Sequence, residues 1–290
     1  MIILDSLLNM LQQAFIQRAF IVGLIMAILS SLLSVFIVLK KVSLIGDGLG
    51  HTAFGGLALG YFLGFAATGA TWVGAIVVVL GSLGITKAIR STRISGDAAV
   101  ALFLQMGLAS GIVLLSLARG YGVNLESLLF GSILVVTPEQ IAIALVVLFV
   151  TLAIVFAFYK ELVLVTFDET QARAAGVKTW FFDYLVSVLA GVTVIASIPI
   201  VGVLLISALL VLPAITSLQV SRSFKQTMIL SPMFGLVSVV LGLMLSIILD
   251  TASGATIVVV GIAILLFIVT SKKVTKWHAR WTCRLASRLS

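Results

Sequence analysis

Charge is scarce in this 290-residue chain: 10% of its residues are Asp, Glu, Lys or Arg, and His occurs twice. Soluble domains carry about 25% charged and roughly 45–50% apolar residues. Here 61% are hydrophobic and the mean hydropathy is +1.30. A soluble fold of that composition could not cover its own surface, so a polytopic, all-α integral membrane protein of the cell membrane is expected. The single cysteine, Cys283, excludes an intramolecular disulfide and any multi-cysteine metal site. No G-x-x-x-x-G-K-[ST] phosphate loop occurs, so if ATP drives this protein it is hydrolysed on another polypeptide. No His, Cys and Glu cluster suggests a metalloprotease, and one intramembrane His leaves no Ser/His/Asp set. A transport chain is expected rather than an enzyme. The N-terminus shows neither a basic n-region nor a small-residue cleavage site, so no removable signal peptide is read there.

What charge there is carries a sign. The formal net charge is +8 and the pI is about 9.9, yet no basic patch interleaves with aromatics, so nucleic acid is set aside. About 20 apolar residues cross a hydrocarbon core. On that basis spans are expected near 18–39, 42–64, 72–86, 98–118, 141–159, 181–198, 200–218, 228–249 and 255–271, about eight or nine in all, with a broken helix near Pro199 able to change the number. With the N-terminus outside, the inside connections hold Lys40, Lys41, Lys87, Arg90, Arg93, Lys160, Arg173, Lys178, Arg222 and Lys225. Arg18 and Arg119 fall outside, and the tail takes the remaining basic residues. That asymmetry orients the C-terminus to the cytoplasm. One membrane domain covers residues 1–290, with an amphipathic lead-in at 1–17, a cytoplasmic segment at 160–180 and a basic tail at 272–290. A short helix at the outer mouth is expected within 119–140.

Against this background "SLIGDGLGHTAFGG", residues 43–56, stands out. An Asp at the centre of a membrane helix costs about 2.5–3.5 kcal/mol on insertion scales and tends to mark an ion or substrate path. Asp47 and His51 are four residues apart and so share a helix face. One carboxylate and one imidazole suit first-row divalent ions. Two ligands leave the coordination shell to be completed by water, another helix or a second protomer. A structural Asp–His hydrogen bond between packed helices is the alternative.

Other charges have plainer accounts. Asp97 opens a span as an N-terminal cap, with a secondary candidacy for the path. Asp183 reads as a cap or interfacial charge, and Asp250 as a turn residue. In "KELVLVTFDETQARAAGVKTW", residues 160–180, Asp168 or Thr170 caps a short helix that Gly176 ends. His278 and Cys283, five residues apart, do not share a helix face and are not a metal site. The tail around them is expected along the inner membrane surface. Met26, Met106, Met233 and Met244 read as packing.

Taken together, "KKVSLIGDGLGHTAFGGLALGYFLG" (40–64), "LESLLFGSILVVTPEQI" (125–141), "ELVLVTFDETQARAAGV" (161–177) and "PIVGVLLISALLVLPAITSLQVSRS" (199–223) resemble the permease subunits of high-affinity metal-uptake ABC transporters. That family imports zinc, manganese or ferrous iron. The resemblance implies a homodimeric permease, two copies of a separate ATPase and an external metal-binding protein. It implies no permanently bound cofactor, only a transported divalent metal. It also maps the family's Asp and His onto Asp47 and His51. Where the family often has Ser before the His and Pro after it, this chain has Gly50 and Gly55. The 160–180 segment becomes the ATPase dock, through Asp168, Glu169, Gln171, Arg173 and Gly176. "GDGLGH" is slightly more similar to zinc-associated members, so zinc is the expected cargo, ahead of manganese or iron. A stand-alone transporter driven by an ion gradient is the alternative function, and a membrane scaffold with a structural polar pair is a further rival.

Overall fold

The computed structural model describes residues 13–91, 94–118, 129, 131, 136–203 and 206–289, with side chains described up to Lys272 except at 199–201. Among the described residues there are twelve helices and no strand. They are α1 (Ala14–Leu39), α2 (Ile45–Phe62), α3 (Ala67–Ser91), α4 (Gly96–Leu117), α5 (Pro138–Ala157) and α6 (Tyr159–Phe167). The second half holds α7 (Glu169–Ala174), α8 (Thr179–Val201), α9 (Ile206–Leu209), α10 (Leu212–Val220), α11 (Phe224–Leu249) and α12 (Ser253–Leu289).

Seven of these, α1, α3, α4, α5, α8, α11 and α12, contain a stretch long and apolar enough to cross a membrane. Polar residues placed just outside them set their starts. Thr137 accepts from the Gln140 N–H while the Gln140 side chain accepts from the Thr137 N–H, with Pro138 opening α5. This reciprocal cap satisfies two donors that the first turn leaves free. Ser223 caps α11 in the simpler way.

Two other expected spans take different forms. Helix α2 carries Asp47, His51 and six glycines, which lower its apolar content. It compensates by position: 14 of its 18 residues are buried, against α3, α4 and α8. A polar helix is tolerated at membrane depth when protein rather than lipid surrounds it. The span expected at 200–218 is not continuous. Helix α8 runs through Pro199 to Val201, the chain breaks at Gly202, and the return is made by α9 and α10 as two short pieces. Pro213 lies in the first turn of α10, where its missing N–H costs nothing but also prevents continuation from the preceding turn.

The third span is longer than expected, 25 residues as α3. The lead-in is shorter, because residues 14–17 already belong to α1; residues 1–12 lie outside the described set. The helix expected at the outer mouth falls mostly on residues outside it too. The last helix continues through the basic tail as part of α12.

The core forms around α2, with Phe36, Leu49, Phe54, Ile85, Ile206 and Leu210 almost fully buried. A second cluster joins α1, α5 and α11 through Met26, Leu29, Leu148 and Leu243. A seam of serines crosses between α1 and α11: Ser231 Oγ donates to the Ser31 carbonyl at 2.8 Å and lies 3.4 Å from Ser34 Oγ. Met26 is buried and accepts from Ser197 Oγ, while Met106, Met233 and Met244 are exposed on outward faces. All four serve packing or the apolar perimeter.

Candidate functional site

Asp47 lies in the first turn of α2 and His51 one turn further along. Small residues around them bring neighbouring helices close. Gly48 and Gly55 face α4, through Val100 and Gly107, and Gly46 and Gly50 face Ser207 and Val203. At 3.6 residues per turn, Asp47 and His51 occupy the arc between those two sets of contacts. That arc is not closed by the described helices at its start, since Asp47 is half-buried and Leu44 exposed. His51 is deeper, 8% exposed.

The packing behind the pair is backbone on backbone. A Cβ placed on Gly107 would lie 2.3 Å from the His51 carbonyl oxygen, closer than any real contact. Only glycine lets α4 approach α2 at this level, and the approach fixes the stretch of helix that carries the imidazole.

Hydrogen bonding separates His51 from nearly every other buried polar group. Most buried hydroxyls donate to carbonyls on their own helix, as Thr52 does to Gly48 at 2.7 Å. Two buried side-chain polar atoms lack a partner among the described residues: the Thr151 hydroxyl and His51 Nδ1. An unsatisfied buried polar atom costs about 1–3 kcal/mol. The Asp47–His51 hydrogen bond that a purely structural pair would make is absent. No group of three or more His, Cys, Asp or Glu able to hold a metal occurs among the described residues. Among the described residues the pair therefore presents two metal-ligand atoms and no third.

Asp97 does not cap α4. Ser95 does, its Oγ accepting from the Ala98 N–H at 3.3 Å, and Asp97 stands exposed in the first turn. Asp250 ends α11 in a left-handed conformation, φ 50°, as a turn residue does.

The 160–180 segment folds as two short helices. Asp168 Oδ1 accepts from the N–H groups of Thr170 and Gln171, both at 2.9 Å, and so starts α7. Gly176, at φ 81°, reverses the chain after it, a conformation that costs glycine little. Gln171 is exposed. Glu169 receives Arg173 and, at 3.0 Å, the Thr179 hydroxyl. These contacts, led by the Arg173 hydrogen bond, hold the Glu169 carboxyl below its ordinary range.

Glu169 also meets Arg90 at 3.3 Å. Arg90 in turn pairs with Asp183, whose other oxygen takes Lys40. Asp183 is the fifth residue of α8, not its cap. Sequence reasoning took it for a cap or an interfacial charge, used Lys40 and Arg90 only to orient the chain, and gave Thr179 no role. The available signal was an acidic residue just after the inside connection that carries Lys160, Arg173 and Lys178. Lys40, Arg90, Glu169, Arg173 and Asp183 line a cavity of about 490 Å³, together with Lys41, Thr86 and Ser187.

Similarity to known proteins follows this geometry. The profile of the ABC 3 transport family matches residues 12–272. The manganese transport system membrane protein MntC of Halalkalibacterium halodurans is 30% identical over 87% of this chain and 85% of its own length. The manganese import system permease protein ScaB of Streptococcus gordonii is 32% identical over 87% and 89%. Among solved structures, PsaBC from Streptococcus pneumoniae in complex with Fab superposes with a TM-score of 0.81 at 30% identity, covering 91% of this chain and 95% of that chain.

Proposed function

The chain belongs to the ABC 3 transport family and is the membrane permease of a metal ABC transporter, and from that premise we propose that it passes a divalent cation inward along a path through Asp47 and His51. The observation that carries this reading is the buried Nδ1 of His51, without a hydrogen-bond partner among the described residues and one turn from the half-buried side chain of Asp47. An imidazole nitrogen and a carboxylate oxygen replace part of a cation's hydration shell. Two ligands hold it loosely enough for release, as conduction through a path requires.

The open arc beside Asp47 is where a second copy of the chain brings its own pair, giving a two-fold site at the homodimer axis. An external metal-binding protein delivers the ion to the outer loops. Two copies of a separate ATPase dock on α6 and α7, where Asp168, Glu169, Gln171, Arg173 and Gly176 shape a short capped helix. ATP binding and hydrolysis there switch the dimer between outward- and inward-facing states. Asp97, exposed at the start of α4, has a secondary place near the path.

Manganese stands ahead of zinc as the cargo, with ferrous iron also suited. Both relatives above are named for manganese, and an O/N donor pair without thiolate suits it as well as zinc. Family membership leaves the gradient-driven alternative with no observation in its favour. The test is uptake of radioactive manganese into proteoliposomes holding the chain with and without its ATPase. Uptake that needs the ATPase and ATP, and ignores a protonophore, fits the proposal. Uptake by the chain alone under an imposed ion gradient overturns it.

A further inference from the structure

The ion pairs at the basic end of the bundle connect elements far apart in sequence. Asp183, near the start of α8, gives one carboxylate oxygen to Lys40, the residue that ends α1, and the other to Arg90 in the last turn of α3. Arg90 also reaches Glu169 at 3.3 Å, and Glu169 holds Arg173 on α7 and Thr179 at the start of α8. Side-chain exposure falls steadily along this chain, from 61% at Arg173 and 42% at Glu169 to 26% at Arg90, 20% at Asp183 and 13% at Lys40.

We propose that Asp183 is a positioning residue for transport, the point at which movement of the α7 helix is passed through Arg90 to the ends of α1 and α3. This rests on the reading of α7 as the ATPase dock.

The physical case is one of committed valence. Both oxygens of Asp183 are used, each by a different helix, so none of α1, α3 and α8 shifts at this level without the others. The exposed outer pairs are worth little, as surface pairs are. The inner pairs lie where screening is weaker and charge is dearer to leave unpaired. Tension applied at Glu169 therefore meets a soft link first and a stiff one behind it. The adjoining cavity of about 490 Å³ leaves room for Arg90 to move between its two carboxylates. Without the Asp183 charge, Lys40 and Arg90 face each other as like charges, and the span ends part from α8.

A relay and a structural clamp make different forecasts. The test uses the full complex with its ATPase in proteoliposomes, comparing wild type, Asp183→Asn and Asp183→Glu, with manganese uptake and ATP hydrolysis measured on the same preparation. The relay predicts that Asp183→Asn keeps the ATPase bound at wild-type stoichiometry and hydrolyses ATP within about twofold of wild type. Manganese taken up per ATP then falls about tenfold, as loss of one partner from a half-buried charge pair is costly. Asp183→Glu restores at least half of that ratio, because both charges are met again.

An unchanged ratio in Asp183→Asn overturns the proposal. So does a fall in uptake and hydrolysis in equal proportion, with a lower melting temperature, which describes a clamp. Failure of the docking assignment shows elsewhere, as an ATPase that still co-purifies after deletion of residues 168–176. The ratio in Asp183→Asn is read independently of that result.

Discussion

At Gly107 the backbone of α4 meets the backbone of α2 at the carbonyl of His51, and a single methyl group there has nowhere to go. Gly107→Ala is expected to lower stability by roughly 1–3 kcal/mol, the usual cost of overpacking, and to reduce uptake by shifting the imidazole. Gly96→Ala, where nothing lies within 4 Å, is the control. Thermal unfolding of the two purified variants checks this, and equal melting temperatures would remove Gly107 from the support of the site. The Asp47 and His51 pair was legible in the sequence because ionisable residues are rare in membrane helices. The Asp183 network was not. Its partners are separated by 143 positions between Lys40 and Asp183 and by 93 between Arg90 and Asp183, and no local spacing marks such pairs. The missing hydrogen bond at His51 Nδ1 was equally out of reach, since it depends on what other helices fail to offer.

At the scale of elements, α7 shows the opposite case. Its cap, its length and its stop are all local: Asp168, the Ala-rich stretch and Gly176. Replacing Ala172 with Pro removes a buried residue and the N–H that bonds to the Asp168 carbonyl, which unmakes the turn. ATPase co-purification is then expected to fall sharply with membrane insertion intact. Wild-type stoichiometry in this variant would withdraw α7 as the dock. Glu169 adds a pH test. Its carboxyl is held low in the folded state by Arg173, Thr179 and Arg90, so its stabilisation is present above the ordinary Glu pKa of about 4.3 and is lost as pH falls through the depressed folded value. The melting-temperature difference between wild type and Glu169→Gln should persist at pH 6 and shrink below about pH 4; a difference that grows on acidification contradicts the pairing. The α9–α10 break was less readable. Pro199 signalled that a helix near it could be broken, but the chain stays helical through Pro199 and parts at Gly202, and Pro213 as a helix start is recognisable only once that break is known.

At the scale of the molecule, a cluster of charged side chains joins elements far apart in the sequence. Lys40, Arg90, Glu169 and Asp183 meet there, as do the aromatic contacts of Phe224 with Phe36 and Phe167. On the positive-inside rule, the Lys and Arg of the inside connections are the basis for proposing that the end of the bundle holding this cluster faces the cytoplasm. In a Cys283→Ser background, Ala66→Cys in the exposed turn between α2 and α3 should react with an impermeant thiol reagent from outside, and Gln171→Cys only after permeabilisation. Reversed labelling would invert the orientation and move the dock to the wrong side. All-helical class and membrane residence followed from composition, and most span positions from the length of apolar runs. The central burial of α2 did not: residues 42–64 read as a span of the same kind as the others, and its enclosure by α3, α4 and α8 depends on contacts that no apolar run encodes. The metal path proposed through this buried helix is tested most directly by manganese uptake of Asp47→Asn in the reconstituted complex, normalised to folded protein. Asn keeps the shape of the side chain and removes the charge that offsets a divalent cation. The path predicts that uptake is nearly abolished while the dimer and its bound ATPase persist; uptake near the wild-type rate would show that the cation does not pass by Asp47.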